Sequence, residues 1–314
     1  MHLHLALLLT MLNYSKSGTI PNLLKLVICI VSVISCQIID SVKSENIGLS
    51  DSLITGPVSS NGFNIILGTS DLAVGTNRFT FAVVSQDGLL DLPMVKVKTI
   101  FKGQVKQVAK AEFNEWPIPQ RGLYVTELNF DKSGNWDLTV EFIRNTVDTE
   151  VLDIEFEVKD RFTAPANGEL AFKSINKTIG DVDSFMELTT GSFYDPDFYG
   201  ITISEAISQA KPFILVFSSP AFCTNAVCGP QLEVLRSIKT KYKEEFIFIH
   251  VDIYDDPQQV QSNFENAKIS PAVKEWNLPT SLWTFIVAGN GQIKYRFEAF
   301  ASESEIENAL NQIY

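Results

Sequence analysis

Between residues 64 and 158 the apolar side chains recur with a period of two, and that pattern permits little except β-strands. In NWDLTVEF, Trp136, Leu138, Val140 and Phe142 fall on one face. Seven such runs follow one another: NIILG, RFTFAVVS, MVKVKTIF, VKQVAKAEF, LYVTELNF, NWDLTVEFIR and VLDIEFEV. Turn residues punctuate them, as in QDG and DKSGN. Seven short strands at this spacing predict an all-β sandwich over residues 48–160. Trp136 reads as its core anchor. This stretch holds no cluster of His, Cys or Met, so no metal site is expected in it.

The period changes further on. Residues 161–200, with TAPANGEL and YDPDFYG, read as a linker, and Tyr194, Phe198 and Tyr199 are expected to pin it to the next domain. Asp195 and Asp197 lack the further ligands a calcium site needs. From Thr202 the pattern predicts a short helix with a Thr202/Glu205 capping box, stopped at Lys211-Pro212. FILVFSS and EFIFIHVDIY are continuous apolar runs, the mark of strands buried on both faces. GPQLEVLRSIKTKY has helical spacing, with Pro230 in the first turn, where a missing N–H costs nothing. SPAVKEW predicts a short helix, LPTSLWTFIVAGNGQIKYRFEAF a hairpin turned at Asn290-Gly291, and SESEIENALNQIY a helix capped by Ser302.

Composition narrows the function. The chain has 314 residues, 45% of them hydrophobic, and a net charge of -12. An acidic surface repels phosphate backbones, which weighs against nucleic-acid binding. In residues 1–36, Lys16 and Lys25 precede LVICIVSVI and then Ser35-Cys36, the order of a secretory signal. VISC resembles the bacterial lipobox. That resemblance implies that Cys36 is lipidated and that the protein is held on the outer face of a membrane. An ordinary signal peptide or an uncleaved anchor is the other reading. Cys29 falls inside the apolar run, so Cys223 and Cys228 are left as the sulfurs free for chemistry.

This Cys-x4-Cys pair admits three readings: an exchangeable redox pair, an inert clip, or a metal site. A thiolate at a helix N-terminus is stabilised and reactive. Closing so short a loop adds only about 2 kcal/mol, which favours chemistry over a clip. Other chemistry finds less support. Ser218 and Ser219 have no histidine placed in sequence as a base. His250 lies in mid-strand, where a hydrogen-bonded core residue is expected.

Two resemblances organise these parts. RGLYVTELNFDKSGNWDLTVEF resembles a hairpin of immunoglobulin-like domains in bacterial envelope proteins. The element order from residue 201 to 314, with ILVFSSPAFC, LPT and FIVAGNGQI, resembles the thioredoxin superfamily. Together they imply two domains, an all-β immunoglobulin-like sandwich followed by an α/β thioredoxin-like fold. They imply an extracytoplasmic thiol–disulfide oxidoreductase that needs no cofactor. Its partner would be a protein thiol or disulfide of the envelope. Cys223 would attack, Cys228 resolve, and Pro279 be cis beside them. Thr280, Trp276 and Phe222 would contact substrate, with Trp283 as core or rim. The pair departs from the family's Cys-x-x-Cys, and the family's buried acid has no counterpart in FILVFSS; Asp252 or Glu275 are its alternatives. A degenerate scaffold protein, or a Cu(I) chaperone of the same superfamily, remains the other implied function.

Overall fold

The computed structural model describes residues 53–118, 120–144, 148–192, 194–223 and 228–313. The period-two runs form β1 (Asn64–Leu67), β2 (Gly75–Ser85), β3 (Gly88–Leu89), β4 (Met94–Phe101), β5 (Gln104–Glu115), β6 (Gly122–Phe130), β7 (Gly134–Ile143) and β8 (Thr149–Val158). They lie on one antiparallel hydrogen-bonded path, β1-β2-β6-β5-β4-β7-β8, with β3 paired to β2. β5 joins the halves of this sheet. Its first part pairs with β4, from Phe101↔Gln104 to Met94↔Glu112, and its last part with β6, from Glu112↔Val125 to Glu115↔Gly122. Gly122, opposite Glu115, permits the close approach of β6 to β5: a Cβ there would stand 2.4 Å from the Phe113 ring and 2.6 Å from the Asn114 carbonyl oxygen.

The sheet curls until its ends approach. Ala73, just before β2, bridges Lys159, just after β8. Val74 N donates to Lys159 O and Lys159 N to Leu72 O, both at 2.9 Å. The enclosed core holds Phe79, Phe81, Tyr124, Phe130, Trp136 and Phe156. Trp136 is sealed, and its Nε1 donates to Lys132 O at 3.0 Å. The expected immunoglobulin-like sandwich is therefore corrected: in place of two stacked sheets there is one sheet, nearly closed and barrel-like. The reason is physical. Alternation records which face of a strand is buried, not which strand lies beside it.

The second sheet contains β9 (Phe213–Ser218), β10 (Ile247–Asp252), β11 (Trp283–Val287) and β12 (Ile293–Glu298), in the order β10-β9-β11-β12. β9 and β10 are parallel and the other pairs antiparallel. Every residue of β9 and β11 is buried, as the continuous apolar runs predict. Around them lie α1 (Ile203–Ser208), α2 (Cys228–Tyr242), α3 (Pro257–Ser262), α4 (Pro271–Glu275) and α5 (Glu303–Leu310). The Thr202/Glu205 capping box opens α1, and Ala210 at φ +53° ends its turn. Ile214 and Val216 face the core under α2 and α5, while Phe213, Leu215 and Phe217 face the core under α1 and α4.

The described residues of 161–200 lie against this second sheet. Gly168 N donates to Ile293 O and Ile293 N to Glu169 O, both at 2.8 Å, and Phe198 and Tyr199 are buried. Ala82 and Leu123 of the first sheet share a core with α2 and α5, and Trp116 packs on Phe300. All described residues fall in one compact unit, Ile47–Tyr314.

The two-domain class ending in an α/β thioredoxin-like fold is thus also corrected. Strands dominate the described chain, and four of its five described α-helices have eight residues or fewer. No peptide bond among the described residues is cis, so the expected cis Pro279 is trans. The order of apolar runs along the chain specifies neither how far each helix extends nor how its ends are covered. Among the described residues no helix is long and apolar enough to cross a membrane. The apolar run 26–34 and Cys36, the expected lipid attachment point, lie outside the described residues.

Candidate redox site

β9 leaves the second sheet at Ser218, and the chain turns at once, Phe222 N donating to Ser219 O at 3.1 Å. It reaches Cys223, which is bonded to Cys228 across a Cα–Cα distance of 5.9 Å. Cys228 is the first residue of α2, a helix of 15 residues. The two sulfurs differ in access: Cys228 is 0% exposed, whereas Cys223 is only half-buried. A groove of about 340 Å³ runs alongside, lined by Thr190, Tyr199, Pro220, Ala221, Gly229 and Leu232.

The structure brings the Leu278–Ser281 loop to the pair. Cys228 Sγ lies 4.0 Å from Ser281 O. Pro279 and Thr280 are half-buried there. Thr280 Oγ1 donates to Glu298 Oε1 at 3.0 Å, and Trp283 Nε1 donates to Thr280 O at 3.1 Å. Phe222 stacks on Phe264 at 5.3 Å, and Phe264 is exposed, so an aromatic surface adjoins Cys223. Trp276 is placed otherwise than expected for a substrate contact. It is 0% exposed, with Nε1 on Ser174 Oγ at 3.1 Å and its ring against Phe217 and Phe285. Trp283 is equally sealed.

Two buried ionisable groups lie beneath the turn. Asp252, at the end of β10, accepts from Thr190 N at 2.7 Å, Thr190 Oγ1 at 2.9 Å and Tyr254 N at 3.1 Å. Burial pushes its carboxyl up to about 6. Thr190 Oγ1 in turn lies 2.9 Å from Ser219 Oγ and accepts from Ala221 N at 3.3 Å. A short polar chain thus connects the acid to the backbone two residues before Cys223. Glu275, the other candidate acid, is exposed. Thr190 carries no sequence signal; it lies in the stretch read as linker.

His250 is the hydrogen-bonded core residue that its mid-strand position predicts. The sequence offers Ser218 no base, yet His250 Nε2 stands 3.0 Å from Ser218 Oγ. It stands equally close to Ser218 O, which can only accept, so Nε2 carries the proton. Nδ1 then accepts from Tyr199 OH at 2.5 Å. Burial holds the imidazole down at about 4. A neutral ring whose Nε2 already bears hydrogen cannot take a proton from Ser218, and all three groups are sealed from solvent. The triad is a core hydrogen-bond network. Among the described residues no three His, Cys, Asp or Glu are grouped to hold a metal ion. No protein-family model matches the chain, and no curated protein matches it.

Proposed function

We propose that the protein is a thiol–disulfide oxidoreductase acting through Cys223 and Cys228. The N-terminal 36 residues would tether it outside the cytoplasm. The asymmetry of the cystine carries this reading: one sulfur is half-buried, and the other is sealed at the first turn of a long helix. A substrate thiolate reaches Cys223 Sγ and forms the new S–S bond. The old bond breaks, and its electron pair stays on Cys228 as a thiolate at the N-terminal end of α2, where the helix dipole favours negative charge. A second substrate thiolate then releases Cys223. In the reverse direction Cys223 attacks a substrate disulfide and Cys228 resolves the mixed disulfide. Neither direction needs a cofactor, but both need a protein partner that recycles the pair. Outside the cytoplasm such a disulfide persists between turnovers.

Equilibration with glutathione buffers tests the reading. The pair is expected to interconvert with a potential above about -300 mV, and a Cys228→Ser variant to hold a mixed disulfide on Cys223. A pair that stays oxidised below about -300 mV, as structural disulfides do, would overturn it.

A further inference from the structure

Gln231 is the first residue one turn beyond Cys228 on α2, and positions three apart share a helix face. It is 0% exposed, and its side chain is half satisfied. Oε1 accepts from Ala301 N at 2.7 Å, and because that backbone group can only donate, the assignment of oxygen and nitrogen is fixed. Nε2 has no hydrogen-bond partner among the described residues. A buried amide donor without an acceptor is costly and calls for a physical reason.

The chain around it converges on Cys228. Ala299 N donates to Leu282 O at 3.1 Å, which sets the 299–301 segment beside residues 281–282. Ser281 O is the group 4.0 Å from Cys228 Sγ. Gln231 and Cys228 thus face the same junction, one through its amide and the other through its sulfur. In the oxidised protein that sulfur is neutral and a poor acceptor. When the disulfide opens it becomes a buried anion, and Ser281 O, 4.0 Å away, can only repel it.

We propose that Gln231 Nε2 is the donor kept for this anion, hydrogen-bonding the Cys228 thiolate once the S–S bond has broken. The inference rests on the proposed exchange reaction. It assigns to the reduced state the partner that the oxidised state leaves vacant. The electron pair of the broken bond resides on Cys228, no proton is transferred, and Gln231 stabilises the product of the first step.

The test uses the full chain and reads ionisation without turnover. In a Cys223→Ser background, the thiolate absorbance of Cys228 is titrated with and without Gln231→Met, which keeps the volume and removes the donor together with the acceptor of Ala301 N. Loss of a hydrogen bond to a charged group is expected to lower thiolate formation about tenfold. In the chain with both cysteines, Q231M is expected to disfavour the reduced pair about tenfold, roughly 30 mV in glutathione buffers. Should Q231M fold poorly, the unmodified chain serves: the Gln231 side-chain amide proton should move downfield on reduction. Identical Cys228 titrations with and without Q231M, or an amide signal unmoved by reduction, would overturn the inference even if the protein turns over. A shifted titration in a protein whose disulfide stays locked would sustain the donor and sink the oxidoreductase reading.

Discussion

Asp252 and His250 lie on the same buried strand and titrate against each other. The Asp252 carboxyl rises from 3.8 to about 6 on folding, so its contribution is full at low pH and is lost as pH rises through 6. The His250 imidazole falls from 6.5 to about 4, so its contribution is full above 6.5 and is lost as pH falls through 4. Each change corresponds to roughly 3 kcal/mol, with opposite sign over nearly the same window. The two are expected to cancel, leaving stability nearly flat between pH 4 and 6.5. Single variants should expose them. Asp252→Asn is expected to be less stable at every pH, because its amide must face a donor, yet to gain stability as pH rises. His250→Gln should lose stability as pH rises. Urea midpoints at pH 4.5 and 6.5 check both slopes, and parallel pH profiles for all three proteins would refute the pairing. At this scale the sequence was partly legible. Cys223 and Cys228 do meet, and the loop holding Pro279 and Thr280 comes beside them. Trp276 could not be placed, because a tryptophan three residues before a proline looks alike in a core and on a rim. Thr190 and Gln231 could not be found, because their partners lie 29 to 70 residues away along the chain.

At the scale of elements, two glycines make opposite demands. Gly122 allows the close crossing of β5 and β6, and Gly122→Ala drives a methyl group into Phe113 and Asn114. A loss of about 2–3 kcal/mol is expected, read from the urea midpoint. Gly229 lies in the first turn of α2, where a Cβ would meet nothing within 4 Å. Gly229→Ala is therefore expected to raise stability by about 0.5–1 kcal/mol. Equal effects of the two substitutions would contradict the geometry of both elements. Strand and helix identities were readable because each is set by local periodicity. The hairpin at Asn290-Gly291 forms as expected, with Gly291 at φ +80°. The partner exchange within β5 was not readable, since nothing in VKQVAKAEF marks where one neighbour gives way to another.

Over the whole molecule, the two sheets are tied by buried charge. Asp71, before β2, accepts from Arg296 Nη2 of β12 at 2.7 Å and from Thr163 N and Ala164 N. Burial raises its carboxyl, but the Arg296 charge and these hydrogen bonds outweigh it and hold the group below its usual range. Glu298 returns the tie, accepting from Ser70 N, Ser70 Oγ and Asp71 N of the first sheet as well as from Thr280. Arg78 of β2 clasps Glu305 of α5. Removing one member of such a pair strands a buried charge. Arg296→Met is expected to cost about 3 kcal/mol or more, the loss shrinking at acid pH as the stranded Asp71 carboxyl takes up a proton. The shared core and these ties also predict one cooperative unfolding transition. Trp136 in the first sheet, Trp276 at the end of α4 and Trp283 in the second sheet should report the same urea midpoint by fluorescence of single-tryptophan variants. Two separate midpoints would show independent domains. What the sequence determined by itself was local: which stretches extend, which coil, which faces turn inward, and where two sulfurs could close a small ring. Only the tertiary structure decided that the strands share one curled sheet, that a carboxylate at residue 298 meets a backbone at residue 70, and which sulfur is sealed. Periodicity is a property of neighbours in sequence, whereas pairing, burial and charge compensation belong to groups that meet only after the chain has folded.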